Sequence, residues 1–345
     1  MSGLLIYTGG TLGGKRRGRG PVFADYKPAA FARLLEKSLP EAGDWVVESA
    51  LGKLSENVAP ADWAVLARTI DAGVRRGVRA IVVAHGTDTM IYTACALRWL
   101  LKGVPVPVVL TGSALPLGDS GTDAIRNLGH AMALARSARK RPGVWLAFAG
   151  MPGGSLVLDP VNARKDAARP DFFQPVWGCA AGAIRGDAGK VSWRIPLPVQ
   201  APEYEPHFNV DSRAALFTLH PGFEPETFRR AWRAGARGIV LAGYGSGTGC
   251  AEGAYDLRPA VREAVDRGVP VWLVSQHGDR VRIAYGSTAG LKRAGATLLE
   301  GWTPEAALTA MMCGGRQREP GTGVTHLVLS EAFPRPGSRS TPAIR

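Results

Sequence analysis

Thr8-Gly9-Gly10-Thr11 and His85-Gly86-Thr87-Asp88-Thr89 are two places in this chain where hydroxyls, polar side chains and glycine-loosened backbone come together. A threonine hydroxyl becomes a nucleophile only with a base to take its proton and donors to receive the developing negative charge. The stretch from Gly9 to Gly14 leaves little side-chain bulk around Thr11, so backbone N–H groups can come close to a reacting carbonyl. The second motif adds a histidine and an aspartate. Two threonines facing each other, with no serine–histidine pair in sight, point to a hydrolase with a threonine nucleophile.

Each of these residues also has a plainer reading. A glycine-rich loop can cradle phosphate, but the P-loop lysine and its spacing are missing and the dinucleotide glycine pattern does not fit. His85 looks like the obvious base, yet a histidine ending a buried strand is more often packed and hydrogen-bonded, and that is the expectation. Asp88 is either an acid at the start of a helix or a carboxylate that binds a substrate ammonium or orients a lysine.

Both motifs follow apolar runs, Gly3 to Tyr7 and Ala80 to Ala84, which read as buried parallel strands. Ligands of open α/β sheets bind outside the carboxyl ends of such strands, which would bring the motifs to one crevice. The surrounding pattern alternates. Helices are predicted over Pro28–Ser38, Pro60–Arg76, Thr89–Lys102 and Asp123–Arg136, and strands over Trp45–Ser49, Val106–Leu110 and Val144–Ala149. Pro60 suits a first helical position, with Val65, Leu66, Thr69 and Ile70 expected on one face. This rhythm implies a parallel sheet.

The proline-punctuated segment 186–211 lacks periodicity and reads as a linker between an N-terminal unit, 1–185, and a C-terminal one, 212–332. In the second unit helices are expected over Pro225–Ala234, Leu257–Arg267 and from Thr303-Pro304 to Met312. Strands are expected over Ile239–Tyr244, Val271–Ser275 and Thr325–Ser330. Residues 333–345 read as a flexible tail.

Composition narrows the class. An apolar fraction of 46% with 21% charged residues fits a globular chain rather than a disordered one. The run from Leu100 to Leu110 is broken by Lys102, Gly103 and two prolines, so nothing reads as a membrane span. Leu4 to Tyr7 already looks like the first strand, with neither a basic leader nor a cleavage site before it, and the expected compartment is the cytoplasm. Cys95, Cys179, Cys250 and Cys313 lack metal-ligand spacing and read as reduced, buried thiols. The net charge of +13 admits a nucleic-acid partner. No RNA- or DNA-binding signature accompanies it, so an arginine-rich but ordinary surface is the expectation.

Thr8-Gly9-Gly10-Thr11 with His85-Gly86-Thr87-Asp88-Thr89-Met90 resembles the bacterial-type L-asparaginase family, in its cytoplasmic, type I-like form. Leu110-Thr111-Gly112-Ser113 with Asp123 and Asn127, His220-Pro221-Gly222, Ser275-Gln276 and Thr303-Pro304-Glu305-Ala306-Ala307 extend the resemblance to about Ser330. It implies an N-terminal flavodoxin-like α/β domain and a smaller C-terminal α/β domain. It also implies hydrolysis of a side-chain amide of an amino acid, L-asparagine first, with no cofactor or metal, and a homodimer or homotetramer. Thr11 matches the acylated nucleophile. Thr87 matches the residue that positions water or shares the nucleophilic work. Asp88 matches the carboxylate that holds the substrate's α-ammonium and couples to a lysine, here Lys165. Ser55 and Glu56 match the segment that binds the substrate's carboxylate and amino group, Gly10 and Gly86 are expected to line the substrate site, and backbone N–H groups around Gly10 and Thr87 are the expected oxyanion donors.

The resemblance has gaps. The family's tyrosine on the loop after the first motif has no counterpart between Lys15 and Ala24, where Phe23 lacks the hydroxyl and Tyr26 lies beyond the expected place. Thr248 stands where the family has an asparagine. Two other functions stay open. One is the asparaginase-like component of a tRNA-dependent amidotransferase, which normally carries an extra N-terminal domain before the first motif. The other is a catalytically weak homologue that binds an amino acid.

Overall fold

A strand with no charged residue on either side needs cover on both faces. In a computed structural model of the chain, β1 (Gly3–Tyr7) has that cover, and all five of its residues are buried. The structure describes residues 3–16, 22–24, 28–151, 153–166, 172–187, 189–196, 203–277 and 281–314. In chain order β1 is followed by β2 (Gly14–Arg16), β3 (Val22–Ala24), α1 (Pro28–Ser38), β4 (Trp45–Ser49), α2 (Pro60–Arg75), β5 (Ile81–Ala84) and α3 (Met90–Leu100). Then come β6 (Leu101–Lys102), β7 (Pro107–Thr111), α4 (Ala124–Ser137), β8 (Gly143–Met151), β9 (Gly154–Leu158), β10 (Ala163–Lys165) and β11 (Phe173–Pro175). β12 (Gly182–Arg185), β13 (Lys190–Trp193) and β14 (Glu205–Pro206) lead into the C-terminal part.

Eight strands form the large sheet in the order β13-β12-β9-β8-β7-β5-β1-β4. Its parallel part, read as β4-β1-β5-β7-β8, has the 2-1-3-4-5 order of a flavodoxin-like fold, which reverses between β1 and β5. Tyr7 pairs with Ala84 and Ala84 with Thr111, so three strands end level and release their loops along one edge. Strand alternation divides the core. Leu4, Ile6, Ile81 and Val83 pack toward α2 and α3, while Leu5, Tyr7, Val82 and Ala84 pack toward α1 and α4.

The C-terminal part is a four-stranded parallel sheet, β15 (Ala214–Thr218), β16 (Gly238–Gly243), β17 (Val271–Ser275) and β18 (Thr297–Leu298), in that order. Helices α5 (Pro225–Arg233), α6 (Arg258–Asp266), α7 (Gly286–Arg293) and α8 (Pro304–Met312) complete it. α8 starts as its sequence requires, with the Thr303 hydroxyl accepting from Ala306 N at 3.1 Å and Pro304 at the first position. It packs on α3, so the core of β1 and β5 continues into that of β16 and β17. Trp99 of α3 stacks on Trp302 with centroids 5.1 Å apart.

Several expectations change. The loop after Thr8-Gly9-Gly10-Thr11 forms a 3-10 turn, Thr11–Gly13, and an antiparallel pair, β2 with β3. The buried face of α2 is Trp63, Leu66, Ala67 and Ile70; Val65 is 44% exposed and Thr69 turns its hydroxyl to the Val65 carbonyl. Fully burying one Leu or Ile contributes about 1.5–3 kcal/mol, so the larger residues decide the helix's rotation. Helix α3 stops at Leu100, and Leu101–Lys102 pairs instead with Glu205–Pro206. The large sheet is not wholly parallel, because β9, β12 and β13 add antiparallel strands whose short runs give no pattern. Lys190–Trp193, within the segment read as a linker, is the last of these. Cys95 and Cys313 are buried but Cys179 and Cys250 are exposed. The expected strand Thr325–Ser330 and the tail lie outside the described residues. Among the described residues no helix is long and apolar enough to cross a membrane.

Candidate active site

The first motif gets its shape from glycine. Gly9 (φ 103°) and Gly10 (φ 79°) adopt conformations closed to most side chains, and each is also crowded. A Cβ at Gly9 would lie 2.4 Å from the Lys53 carbonyl, and one at Gly10 would lie 2.6 Å from the N and Cα of Gly86. The two motifs therefore touch backbone to backbone, directly before Thr11 and Thr87. Gly10 N–H donates to Lys53 O (3.1 Å), Leu117 N–H to Leu12 O (2.9 Å), and the Tyr7 hydroxyl to Gly13 O (3.2 Å). These bonds hold the turn on either side of Thr11 and leave its own hydroxyl without a partner among the described residues.

The second motif is held by side chains. His85 is fully buried; its Nδ1 lies 2.7 Å from the Gly86 carbonyl and its Nε2 3.0 Å from the Thr93 hydroxyl. A carbonyl can only accept, so Nδ1 carries the proton and Nε2 accepts from Thr93. Burial lowers the His85 pKa to about 4. With both nitrogens engaged and the ring neutral, His85 is a packing residue, as the sequence suggests. Ser55, also buried, accepts from Asp88 N through its Oγ (3.3 Å), and its carbonyl accepts from the Thr89 hydroxyl (2.7 Å).

The four threonines thus divide. Thr8 gives its hydroxyl to Ala84 O (2.9 Å) and Thr89 to Ser55 O, both structural bonds. Thr87 accepts from Lys165 Nζ at 3.0 Å, and the same amine lies 2.5 Å from Asp88 Oδ1. The lysine is one-fifth exposed and Asp88 much more so, with 62% of its side-chain surface open. Asp88 Oδ2 faces no described partner, which leaves an acceptor for an incoming cation. Glu56 is exposed beside Ser55.

The structure brings Gly10, Gly86, Thr87, Asp88, Lys165 and Ser55 into one network, with Thr11 directly after the Gly10–Gly86 contact. It changes one detail: Gly10 N–H is spent on Lys53 O, whereas the N–H groups of Thr11 and Thr87 have no acceptor among the described residues. Both are free, among the described residues, to donate to a ligand. No group of three or more His, Cys, Asp or Glu among the described residues is placed to hold a metal ion. The side chain of Phe23 and all of Tyr26 lie outside the described residues.

Hydroxyls at the switch point of a flavodoxin-like sheet, wired to one lysine and one aspartate, match a known pattern along most of the chain. Residues 4–196 match the asparaginase N-terminal family model, and residues 213–322 match the glutaminase/asparaginase C-terminal domain. The chain belongs to the asparaginase family. It is 32% identical over 259 residues to an L-asparaginase of Thermococcus kodakarensis, covering 74% of this chain and 75% of that one. It is also 32% identical over 321 residues to a component of the glutamyl-tRNA(Gln) amidotransferase of Methanothermobacter thermautotrophicus, covering 89% and 70%. A solved structure of the Thermococcus kodakarensis L-asparaginase superposes with a TM-score of 0.78 at 28% identity, over 91% of this chain and 92% of that one. L-asparaginase I of Vibrio cholerae gives 0.76 at 26% identity, over 90% of each.

Sequence reasoning names Asp123 and Asn127 in the resemblance but misses that they support this chain's loops. Asp123 accepts from Ala114 N and Leu115 N at 3.0–3.1 Å and from Asn127 Nδ2 at 2.9 Å, which fixes the turn whose Leu117 N–H holds Leu12. An aspartate two residues after Gly121 was the available signal, as a side chain able to gather loop N–H groups.

Proposed function

We propose that this chain is an amidohydrolase converting L-asparagine to L-aspartate and ammonia through a threonine acyl-enzyme. The observation that carries the proposal is the Lys165 amine, within 3.0 Å of Thr87 Oγ1 and 2.5 Å of Asp88 Oδ1, beside the Gly10–Gly86 backbone contact that directly precedes Thr11. In this reading the substrate's α-ammonium sits on Asp88 and its α-carboxylate near Ser55, with Glu56 a further acceptor for the ammonium. An ammonium sharing Asp88 weakens that carboxylate's hold on the lysine's proton, which prepares the amine to act as a base.

Thr11 Oγ1 then attacks the side-chain amide carbon, and its proton passes into the Thr87–Lys165 pair. The negative oxygen lies against the Thr11 and Thr87 N–H groups. Collapse of the tetrahedral intermediate expels nitrogen, which takes the proton and leaves as ammonia. Water on Thr87 gives its proton to Lys165 as it attacks the ester, releasing aspartate and restoring the Thr11 hydroxyl. The working unit in this proposal is a homodimer or homotetramer in the cytoplasm.

An ammonia-release assay comparing asparagine, glutamine and their D-enantiomers tests the reading. We expect turnover on L-asparagine first, and a loss of about 10⁴-fold or more in Thr11→Ala. A folded wild-type protein that releases no ammonia from millimolar asparagine sinks it. The similarity to an amidotransferase component over 89% of this chain favours a second reading, hydrolysis that supplies ammonia to a partner. Ammonia release that requires a copurifying protein or transfer RNA would select it.

A further inference from the structure

Lys165 lies on a hairpin that cannot hold itself. β10 and β11 pair over three residues each, Ala163↔Pro175, Arg164↔Gln174 and Lys165↔Phe173, and among the described residues they join no larger sheet. An isolated two-stranded ladder is marginal in water even when it is longer. Buried Ala163 and Phe173 seat the hairpin on the N-terminal core, with Phe173 edge-on to Phe148 at 5.0 Å, and polar ties to other segments complete its hold on the amine.

Strand alternation sends neighbouring side chains to opposite sides. Lys165 turns to Thr87 and Asp88, and Arg164 turns away from them. Its Nη2 donates to the main-chain carbonyl of Gln276 at 2.6 Å, immediately after β17 in the C-terminal domain. The other end of the hairpin is fastened in the same way. Asn162 grips the backbone of Trp177, accepting from its N–H (3.0 Å) and donating to its carbonyl (2.9 Å). The Trp177 indole N–H donates to Gly301 O at 2.8 Å, again in the C-terminal domain. Both ties run from a side chain of the hairpin region to a backbone carbonyl beyond a strand of the C-terminal sheet, Gln276 after β17 and Gly301 after β18. The Arg164 bond is charge-assisted, the stronger kind.

We propose that Arg164 is a positioning residue. Together with Trp177 it ties the lysine-bearing hairpin to the C-terminal domain, so the contact between the two domains sets where the Lys165 amine stands over Thr87. The proposal rests on the reading of Lys165 as the proton carrier. Its physical content is wider, since it says that the amine moves when the tie is cut.

The test measures Arg164→Ala, Arg164→Lys and Trp177→Phe in the full chain, with Arg229→Ala, which removes a surface ion pair between α5 and α6, as a control. The first readout is the rate at which an amine-acylating reagent modifies Lys165 at fixed pH, followed by peptide mass spectrometry. The second is kcat and KM on L-asparagine. Cutting the tie should raise Lys165 labelling severalfold in Arg164→Ala and less in Trp177→Phe. It should lower kcat by about 10- to 100-fold in Arg164→Ala, the range expected of a displacement near 1 Å, with KM changed by no more than about twofold. Arg164→Lys should recover part of both effects, and Arg229→Ala should show neither. If Arg164→Ala does not fold, Trp177→Phe and Arg164→Lys carry the comparison. Labelling of Lys165 equal to wild type in the folded variants overturns the proposal, even when thermal stability falls. Because labelling needs no turnover, a wild type inactive on asparagine would sink the asparaginase reading and still leave the tether decided.

Discussion

The two threonine motifs sit side by side at the switch point of one sheet, yet they are organised in opposite ways. Thr11 is placed by backbone: two glycines with positive φ, hydrogen bonds from Gly10 and Leu117, and a hydroxyl left without a described partner. Thr87 is placed by side chains that arrive from far along the chain, Lys165 at 78 residues' distance and, one residue on, Ser55 at 33. A group that must form and break a covalent bond benefits from room. A group that must pass a proton needs a fixed partner at hydrogen-bond distance. On the proposed reading, the contrast is between a nucleophile shaped by space and a relay shaped by contacts.

That contrast can be broken at several points. Thr87→Ala removes the hydroxyl that faces Lys165, and kcat should fall by about 10³-fold with the fold intact, as measured by steady-state ammonia release and circular dichroism. An unchanged kcat would dissolve the distinction between the motifs. Gly10→Ala strikes at backbone shape. Its Cβ meets Gly86 backbone at 2.6 Å in a left-handed conformation, and a loss of about 3 kcal/mol is expected by denaturant unfolding. Gly52→Ala, also at positive φ (69°) but with open space, should cost only about 1 kcal/mol.

His85 tests the packing of the second motif through pH. Its folded pKa, about 4, is below the unfolded value of 6.5, so the unfolded chain binds more protons between them. Stability from this group is full above pH 6.5 and is lost as pH falls toward 4, by on the order of 2–3 kcal/mol. Thermal melts from pH 7 to 4 should show the slope, and His85→Gln should flatten it. Ser55→Ala is expected to be the mildest. It removes one long bond to Asp88 N and should cost about 1 kcal/mol in kcat/KM for asparagine.

How much of this is legible beforehand varies with range. The strands of the parallel sheet and helices such as Pro28–Ser38 and Pro304–Met312 are readable because burial and caps leave a local imprint on residue type. The antiparallel strands β9, β12 and β13 are not, since their short runs carry no distinctive period. Periodicity puts Val65 on the wrong face because it cannot by itself choose between adjacent stripes; the bulk of Trp63 and the sheet beneath it choose. In the site, the motif residues can be named from sequence, and the expectation that His85 is packed holds. The roles of Arg164, Trp177 and Asp123 cannot be read this way, because each acts on a backbone group whose position only the folded chain defines.

By itself the sequence determined the family, the alternating strand–helix plan and the residues proposed for the site, because glycine, threonine and apolar runs constrain the chain locally. The tertiary structure alone decided which hydroxyls and N–H groups of the motifs have no partner among the described residues. It also decided that the lysine's hairpin is fastened to the other domain. Those are matters of distance between segments up to 124 residues apart, which no local preference encodes.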